Sequence, residues 1–395
     1  MRIAYFVGAY PYYSETFVLH QLKLLLDNGH DVCVFAETLA EAIHGAPPVT
    51  PLRLEEMPSH PVRRLFSLLM AFLRQDLPIS RPLLHSLNFF RFGLDALSLR
   101  LAWSVWRAGD NAPFDIICAH FGPRGRRAAL LRETGAIQGK LVTVMHGEDI
   151  SSYPRRFTGQ IYAPLFASGD LFLAVSEYGG RKLEILGCPA NRLAVQRMGV
   201  DTNLFIPGDA STQKLVILTV ARFVAYKGLH SALASLAQVA CKFEYHLMGD
   251  GPLRESLQWQ VQELGLHGRV TFVGVKPALD IRLAMQASDI FLLPSETQSN
   301  GDEEGIPVAI MEAMACGLPI VSTRHAGIPE LIDDGVEGFL VPERDTGALA
   351  AAIERLAASP EMREKMGKAG RKRILRQYDS AAQDEQLLRT LEGLL

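Results

Sequence analysis

Several features that would narrow the field are scarce in this sequence. Its 395 residues hold only five cysteines, Cys33, Cys118, Cys188, Cys241 and Cys316, scattered and without a C-x-x-C spacing. An odd, dispersed set gives no disulfide framework. Those inside apolar runs such as DVCVFAE and DIICAH read as small buried hydrophobes, and reduced cytoplasmic thiols fit best. The N-terminus MRIAYFVGAYPYY lacks the apolar stretch and small-residue cleavage site of a signal peptide, and no uncharged run is long enough to cross a bilayer. The expected location is therefore the cytoplasm. Net charge is only −3, so nothing global calls for nucleic acid. What remains is an ordinary folded chain, 48% apolar and 21% charged, and longer than one hydrophobic core usually serves. Two domains are expected.

The order of elements agrees. Short β-rich runs alternate with helical patterns at 2–8, 32–37, 115–120, 140–146, 171–176 and 193–199. The same rhythm restarts at 214–222, 243–251, 269–274, 289–295, 319–323 and 338–342. Strands rich in Val, Ile and Leu that alternate with helices predict a parallel sheet covered on both faces. Between the two series, GVDTNLFIPGDASTQ (199–213) is rich in turn-forming residues and reads as a linker. The expectation is an α/β chain of two Rossmann-like, doubly wound halves facing across a cleft. Residues 1–205 form the first, 206–375 the second, and 376–395 a terminal helix.

Residues 60–107 interrupt the strand rhythm. Seven arginines, Arg63, Arg64, Arg74, Arg81, Arg91, Arg100 and Arg107, face only Asp76 and Asp95 among many Leu, Phe and Trp. A basic amphipathic segment suits an anionic membrane surface, and it equally suits a helical layer that buries its apolar stripe and solvates its arginines.

Chemistry concentrates in the second half. In GDEEGIPVAIMEAMACG (301–317), Pro307 is placed as the first helical residue, with the helix ending at Gly317. Glu304 then lies in the loop above the helix and Glu312 on it. A helix N-terminus offers free amides and partial positive charge, so those of Gly305, Ile306 and Val308 suit phosphates, with the two glutamates bracketing them. The plainer alternative makes Glu304 a dipole-complementing residue and Glu312 an exposed helical one. In VARFVAYKGL (220–229), Arg222 and Lys227 follow a strand five positions apart. Two cations there suit a departing diphosphate; solvated loop cations are the alternative.

Taken in order, VARFVAYKG, MGDGPLR (248–254), FVGVKP (272–277), EGIPVAIME, AMACGLPIVST, GIPELI and GVEGFLVP resemble the glycosyltransferase family 4 type of GT-B enzyme, most closely over 195–345. The resemblance implies retaining transfer of a sugar from a nucleotide sugar, UDP- or GDP-linked, with no metal and no further cofactor. No D-x-D is present to hold a cation on a diphosphate. By position, Arg222 and Lys227 would bind the donor diphosphate, Glu304 the donor sugar, Glu312 the ribose, and the backbone around Val275 the base. Many members have glycine where this chain has Pro307, so phosphate contact falls to neighbouring amides.

The first half resembles the family less. The wording SETFV, with NGDEEGIPVAIMEAMA, is similar to bacterial exopolysaccharide transferases of the colanic-acid and amylovoran kind. A lipid-linked glycan acceptor, met at the cytoplasmic face of a membrane, is the expectation. Ser14, Glu15 and Thr16 would then stand at the cleft, or Ser14 caps a helix, and both can hold. His146, ending a strand in TVMHGEDIS, matches the family histidine near the reacting carbon, although a lone histidine is more often structural. His120 and Arg124, with Arg126 and Arg127, end another strand and suit an anionic acceptor or a solvated basic face. No carboxylate is an evident nucleophile, so front-face attack is implied. The alternatives are a nucleotide-sugar 2-epimerase of the same fold and a non-catalytic assembly subunit.

Overall fold

In both halves the β-branched and leucine-rich runs become parallel strands, and the central ones are buried on both faces. The computed structural model of the chain describes residues 1–11, 16–39, 47, 49, 52–54, 56–109, 113–157, 160–208 and 214–395. The first sheet holds β1 (Arg2–Tyr10), β2 (Asp31–Leu39), β3 (Leu52–Leu54), β4 (Ile116–His120), β5 (Lys140–Met145), β6 (Leu171–Ala174) and β7 (Leu193–Val195), in the order β3-β2-β1-β4-β5-β6-β7. The second holds β8 (Leu215–Val220), β9 (Phe243–Met248), β10 (Val270–Gly274), β11 (Ile290–Leu293), β12 (Ile320–Thr323) and β13 (Gly338–Val341), in the order β10-β9-β8-β11-β12-β13. All pairings are parallel, with Ile3 opposite Val32 and Leu215 opposite Phe243. Twelve of the thirteen strands coincide with the runs read from the sequence. The thirteenth, β3, is an edge strand of three residues, LRL, too short for a periodic signal.

Side chains alternate across each sheet and both sets are apolar. Ala4, Phe6, Cys33 and Phe35 enter one core while Ile3, Tyr5, Val7, Val32 and Val34 enter the other. In the second sheet Ile217, Tyr245, Leu247 and Leu292 face one way, and Leu218, Met248, Phe291 and Leu293 the other. Period-two alternation in which both phases are apolar is what a sheet covered by helices on both sides requires.

Strand order reverses between β1 and β4 in the first sheet and between β8 and β11 in the second. Crevices beyond the carboxyl ends of strands at such switch points are where open α/β sheets bind ligands. Two chain crossings join the halves, and they touch one another. Val200 donates its amide to the Tyr378 carbonyl at 2.9 Å, and Ser380 donates to the Val200 carbonyl at 3.0 Å. The helix Ser380–Glu392 then lies on the first half, where Leu387 and Leu391 are buried with Ile3, Tyr5 and Leu22. His20 and Asp384 meet at 2.7 Å beside them.

The region between β3 and β4 is helical, with helices at Pro61–Leu73, Arg81–Ser86, Phe89–Phe92, Leu94–Leu97 and Arg100–Ala108. Leu68, Ala71, Leu83, Ala102 and Trp103 pack it onto the Phe6 and Phe35 side of the sheet. Among the described residues no helix is long and apolar enough to cross a membrane. Four of the five cysteines, all but Cys241, are buried.

Candidate active site

At the second switch point, loops from three strand ends are laced together. After β8, Phe223 donates its amide to Asp250 after β9 at 2.8 Å. Glu296, after β11, donates to the Tyr226 carbonyl at 2.9 Å. Gly228 makes this approach feasible: its φ is +65°, and a Cβ there would stand 1.8 Å from the Pro294 carbonyl oxygen. The lacing sets Lys227 facing the 301–307 loop. Its ammonium pairs with the Glu304 carboxylate, each side chain 13% exposed. Arg222, at the same strand end, is exposed and donates to the Tyr226 hydroxyl at 2.6 Å.

The 301–307 loop is fixed from behind by residues that no sequence motif had singled out. Glu304 donates its amide to His325 Nε2 at 3.0 Å, and His325 Nδ1 meets Glu343 at 2.6 Å. Because Nε2 accepts, the ring proton sits on Nδ1 and is donated to Glu343. Glu343 also accepts from the Thr297 amide at 2.8 Å. Burial works against its charge, but the Thr297 amide and His325 outweigh this and hold it below the usual carboxylate range. The chain Glu343–His325–Glu304 thus orients the backbone of the first glutamate.

The following helix runs Val308–Ala315. Pro307, expected as its first residue, is instead the N-cap, at φ −76° and ψ 111°. A proline ring is compatible with either position, since both leave its missing N–H without consequence, and the extended ψ decides for the cap. Val308 therefore opens the helix with an amide that has no intrahelical acceptor. Gly305 and Ile306 lie immediately before it. Glu312 sits just over one turn in, partly exposed and in no ion pair among the described residues. Burial without a compensating cation pushes its carboxyl up to about 7. Val275 follows β10 and is exposed.

The first half meets this loop at the end of β5. A Cβ on Gly147 would lie 2.9 Å from the Gly305 nitrogen, so only glycine lets the two backbones come this close. His146, next to it, is buried against Phe17 and Phe121 at ring-centroid distances of 4.7 and 4.4 Å. His146 Nε2 lies 3.1 Å from His120 Nδ1, and His120 Nε2 lies 2.6 Å from the Tyr5 hydroxyl. Burial lowers His120 to about 3; burial and then its neighbour His120 take His146 well below the ordinary value. Both rings are therefore neutral. Asp149 anchors the turn by accepting from the amides of His146 at 2.9 Å and Gly122 at 2.8 Å, although burial still raises its carboxyl to about 6.

Side chains also grip across the cleft. Glu303 takes Lys182 and the Tyr178 hydroxyl, the latter at 2.7 Å. Glu330 accepts the amides of Glu177 and Tyr178 at 2.9 and 2.7 Å, the opening turn of the helix Glu177–Ile185.

The structure thus brings together Lys227 with Glu304, Gly147 with Gly305, and His120 with His146. Arg124 lies apart with Arg127, both against Glu37 on β2, at 3.1 and 3.2 Å, and Arg126 holds Asp95 at 2.5 Å. Ser14 and Glu15 fall outside the described residues, and Thr16 opens the helix Thr16–Asp27. Sequence reading missed His325, Glu343, Glu303, Lys182 and Asp149. Only Glu303 and Asp149 stood inside quoted motifs.

Two doubly wound parallel domains that close on one another at their strand ends define the GT-B class of glycosyltransferase. Residues 14–204 match the family described as Glycosyltransferase Family 4, and residues 201–373 match Glycosyl transferases group 1. The chain is 35% identical over 412 residues to the putative colanic acid biosynthesis glycosyltransferase WcaL of Salmonella typhimurium, covering 100% of both. It is 38% identical over 411 residues to the amylovoran biosynthesis glycosyltransferase AmsK of Erwinia amylovora, again covering 100% of both. The chain belongs to this glycosyltransferase family. Among solved structures, the sucrose-phosphate synthase of Thermosynechococcus elongatus superposes with a TM-score of 0.77 at 20% identity, covering 100% of this chain and 98% of that one. Anabaena HepE in complex with UDP-glucose gives 0.73 at 20% identity, covering 100% of both. These two likenesses concern the fold.

Proposed function

We propose that the protein transfers a sugar, with retention, from a UDP- or GDP-sugar to a lipid-linked glycan acceptor in exopolysaccharide synthesis, at the cytoplasmic face of a membrane. The observation that carries this is the Lys227–Glu304 pair set beside the open N-terminus of the helix Val308–Ala315. A cation, a carboxylate and the opening amides of a helix at one strand switch point form a receptor for a diphosphate flanked by hydroxyl groups. Support comes also from the colanic-acid and amylovoran relatives, and from HepE, whose structures hold UDP, glucose or UDP-glucose.

In this reading the diphosphate takes over Lys227, with Arg222 swinging in from its exposed position, and Glu304 is released to accept a hydrogen bond from the donor sugar. Glu312 accepts from the ribose, and the amides of Gly305, Ile306 and Val308 face phosphate oxygens. The backbone near Val275 faces the base. The acceptor lies on the first domain, near the β4 end with His120 and Arg124. The acceptor oxygen bonds to the anomeric carbon on the face from which the diphosphate departs, the carbon–diphosphate bond breaks, and the proton passes to a departing oxygen. Lys227 and Arg222 stabilise the charge that develops, with no metal ion assigned a part. His146, neutral and held by Asp149, borders the reacting carbon through its main chain at Gly147.

The test combines binding with turnover. UDP-, GDP-, ADP- and TDP-sugars are screened by thermal shift, where a ligand of the folded state raises the melting temperature. Lys227→Ala is expected to lower the transfer rate by about 10²–10³, the scale of removing one preorganised transition-state contact. A flat response to all four donors, or undiminished transfer by Lys227→Ala and Glu304→Ala, refutes the assignment.

A further inference from the structure

The helix Pro61–Leu73 is built inside out. Its buried residues are Arg64, Leu68 and Ala71. Its outward stripe is Val62, Leu65, Phe66, Leu69, Phe72 and Leu73, exposed by 46–65%. Positions 62, 65, 69 and 72, with 66 and 73 beside them, recur at three- and four-residue spacings, which places them on one continuous helical face. In an ordinary surface helix this stripe would face the sheet and the arginine would face water. Here the Arg64 guanidinium points inward, donating to the carbonyls of Pro58 at 2.6 Å, Ser59 at 3.1 Å and Ser98 at 2.8 Å. Three directed bonds hold the helix in this orientation, so the outward turn of its apolar face is specified.

The same bias runs through the neighbouring short helices. Leu84, Leu87, Phe89, Phe90, Leu94 and Leu97 are exposed, Phe90 by 98%. With Ile79, the stretch 62–97 holds 13 of the 25 exposed large hydrophobic residues among those described, a density that scattered surface hydrophobes do not reach. Around them stand Arg63, Arg74, Arg81 and Arg100, all exposed and in no ion pair among the described residues. The segment's acids are few: Asp76 is exposed, and Asp95 is engaged by Arg126.

We propose that this face seats on the anionic surface of a lipid bilayer, with the Val62–Leu73 stripe in the acyl boundary and the four arginines at the headgroups. Charge selects the occupant. A second copy meeting this face by a two-fold axis would set arginines against arginines, whereas anionic headgroups neutralise them. The proposal extends the reading of a lipid-linked acceptor, whose glycan would then be met by an enzyme already lying on the membrane.

The test uses the full chain without donor or acceptor. Co-sedimentation is measured with phosphatidylcholine vesicles containing or lacking phosphatidylglycerol, at low and high salt. Expected is binding to the anionic vesicles that weakens with salt. The double variant Phe66→Ser, Leu69→Ser should lower the partition coefficient by at least about tenfold without changing the melting temperature, because both side chains are already exposed. Arg63→Glu with Arg74→Glu should lower it by about fivefold or more per site and reduce the salt dependence. No binding to anionic vesicles, or undiminished binding by the serine double variant, overturns the proposal. So does a dimer in sedimentation velocity that the serine variant dissociates while vesicles are ignored, which assigns the face to a second copy. Donor-induced thermal shifts in these variants report on the proposed sugar transfer separately, so failure of one reading is distinguishable from failure of the other.

Discussion

Glu304 has its side chain on Lys227 and its amide on His325, and in the proposed reading, where a diphosphate takes the lysine, the two contacts have different fates. The first is exchangeable; the second is part of the scaffold. Glu312 differs from both because, among the described residues, no ion pair offsets its burial. Its carboxyl is raised from the ordinary value near 4.5 to about 7, so the folded protein holds that proton more tightly than the unfolded chain does. A raised carboxyl costs stability as pH climbs from about 4.5 through about 7. Glu312→Gln removes that dependence. Its melting temperature relative to wild type should therefore rise between mildly acidic and mildly alkaline buffer, and a constant difference would contradict the burial argument. The glutamates and Lys227 were legible because they stand in short motifs. His325 and Glu343 were not, since each serves Glu304 only through contacts 18 and 21 residues away in the chain.

Among elements, the helix Glu177–Ile185 and the 301–307 loop act together. Glu303 binds Lys182 and Tyr178, Glu330 caps the helix, and Gly147 sits against Gly305. These contacts hold the 301–307 loop in register with the His146 turn, which belongs to the other domain. Gly147→Ala places a methyl 2.9 Å from the Gly305 nitrogen and must part the two loops. The expected result is a fall in kcat of about tenfold to a hundredfold, since a misplacement of about 1 Å can cost that much. Donor affinity in the thermal shift should stay near wild type, because the Lys227 side of the site is untouched. Loss of donor binding with kcat retained would show that the contact has another role. Strand positions were legible from hydrophobic runs, because burial on both faces leaves an unbroken apolar signal. The cross-domain grip was invisible: Glu303 and Lys182 are 121 residues apart, and neither lies in a pattern that names its partner. The inverted polarity of Pro61–Leu73 was equally hidden. Periodicity reveals a stripe but not which way it faces.

For the whole molecule, the helix Ser380–Glu392 belongs by packing to the first domain and by sequence follows the second. Leu391 is 1% exposed among residues of β1 and the helix Thr16–Asp27. Leu391→Ala should lower unfolding stability by about 2–5 kcal/mol, the usual cost of emptying a buried leucine site. Urea unfolding followed by first-domain fluorescence measures it, and a change below about 0.5 kcal/mol would mean that the helix docks only loosely. The paired crossings at Val200 and Tyr378–Ser380 also carry a consequence for synthesis. Domains generally fold as the ribosome releases them, first part first. Here the surface around Ile3, Tyr5 and Leu22 is made early, but the leucines that cover it emerge only after the whole second domain. The core of the first domain is therefore completed by residues made last, after the second domain has been synthesised.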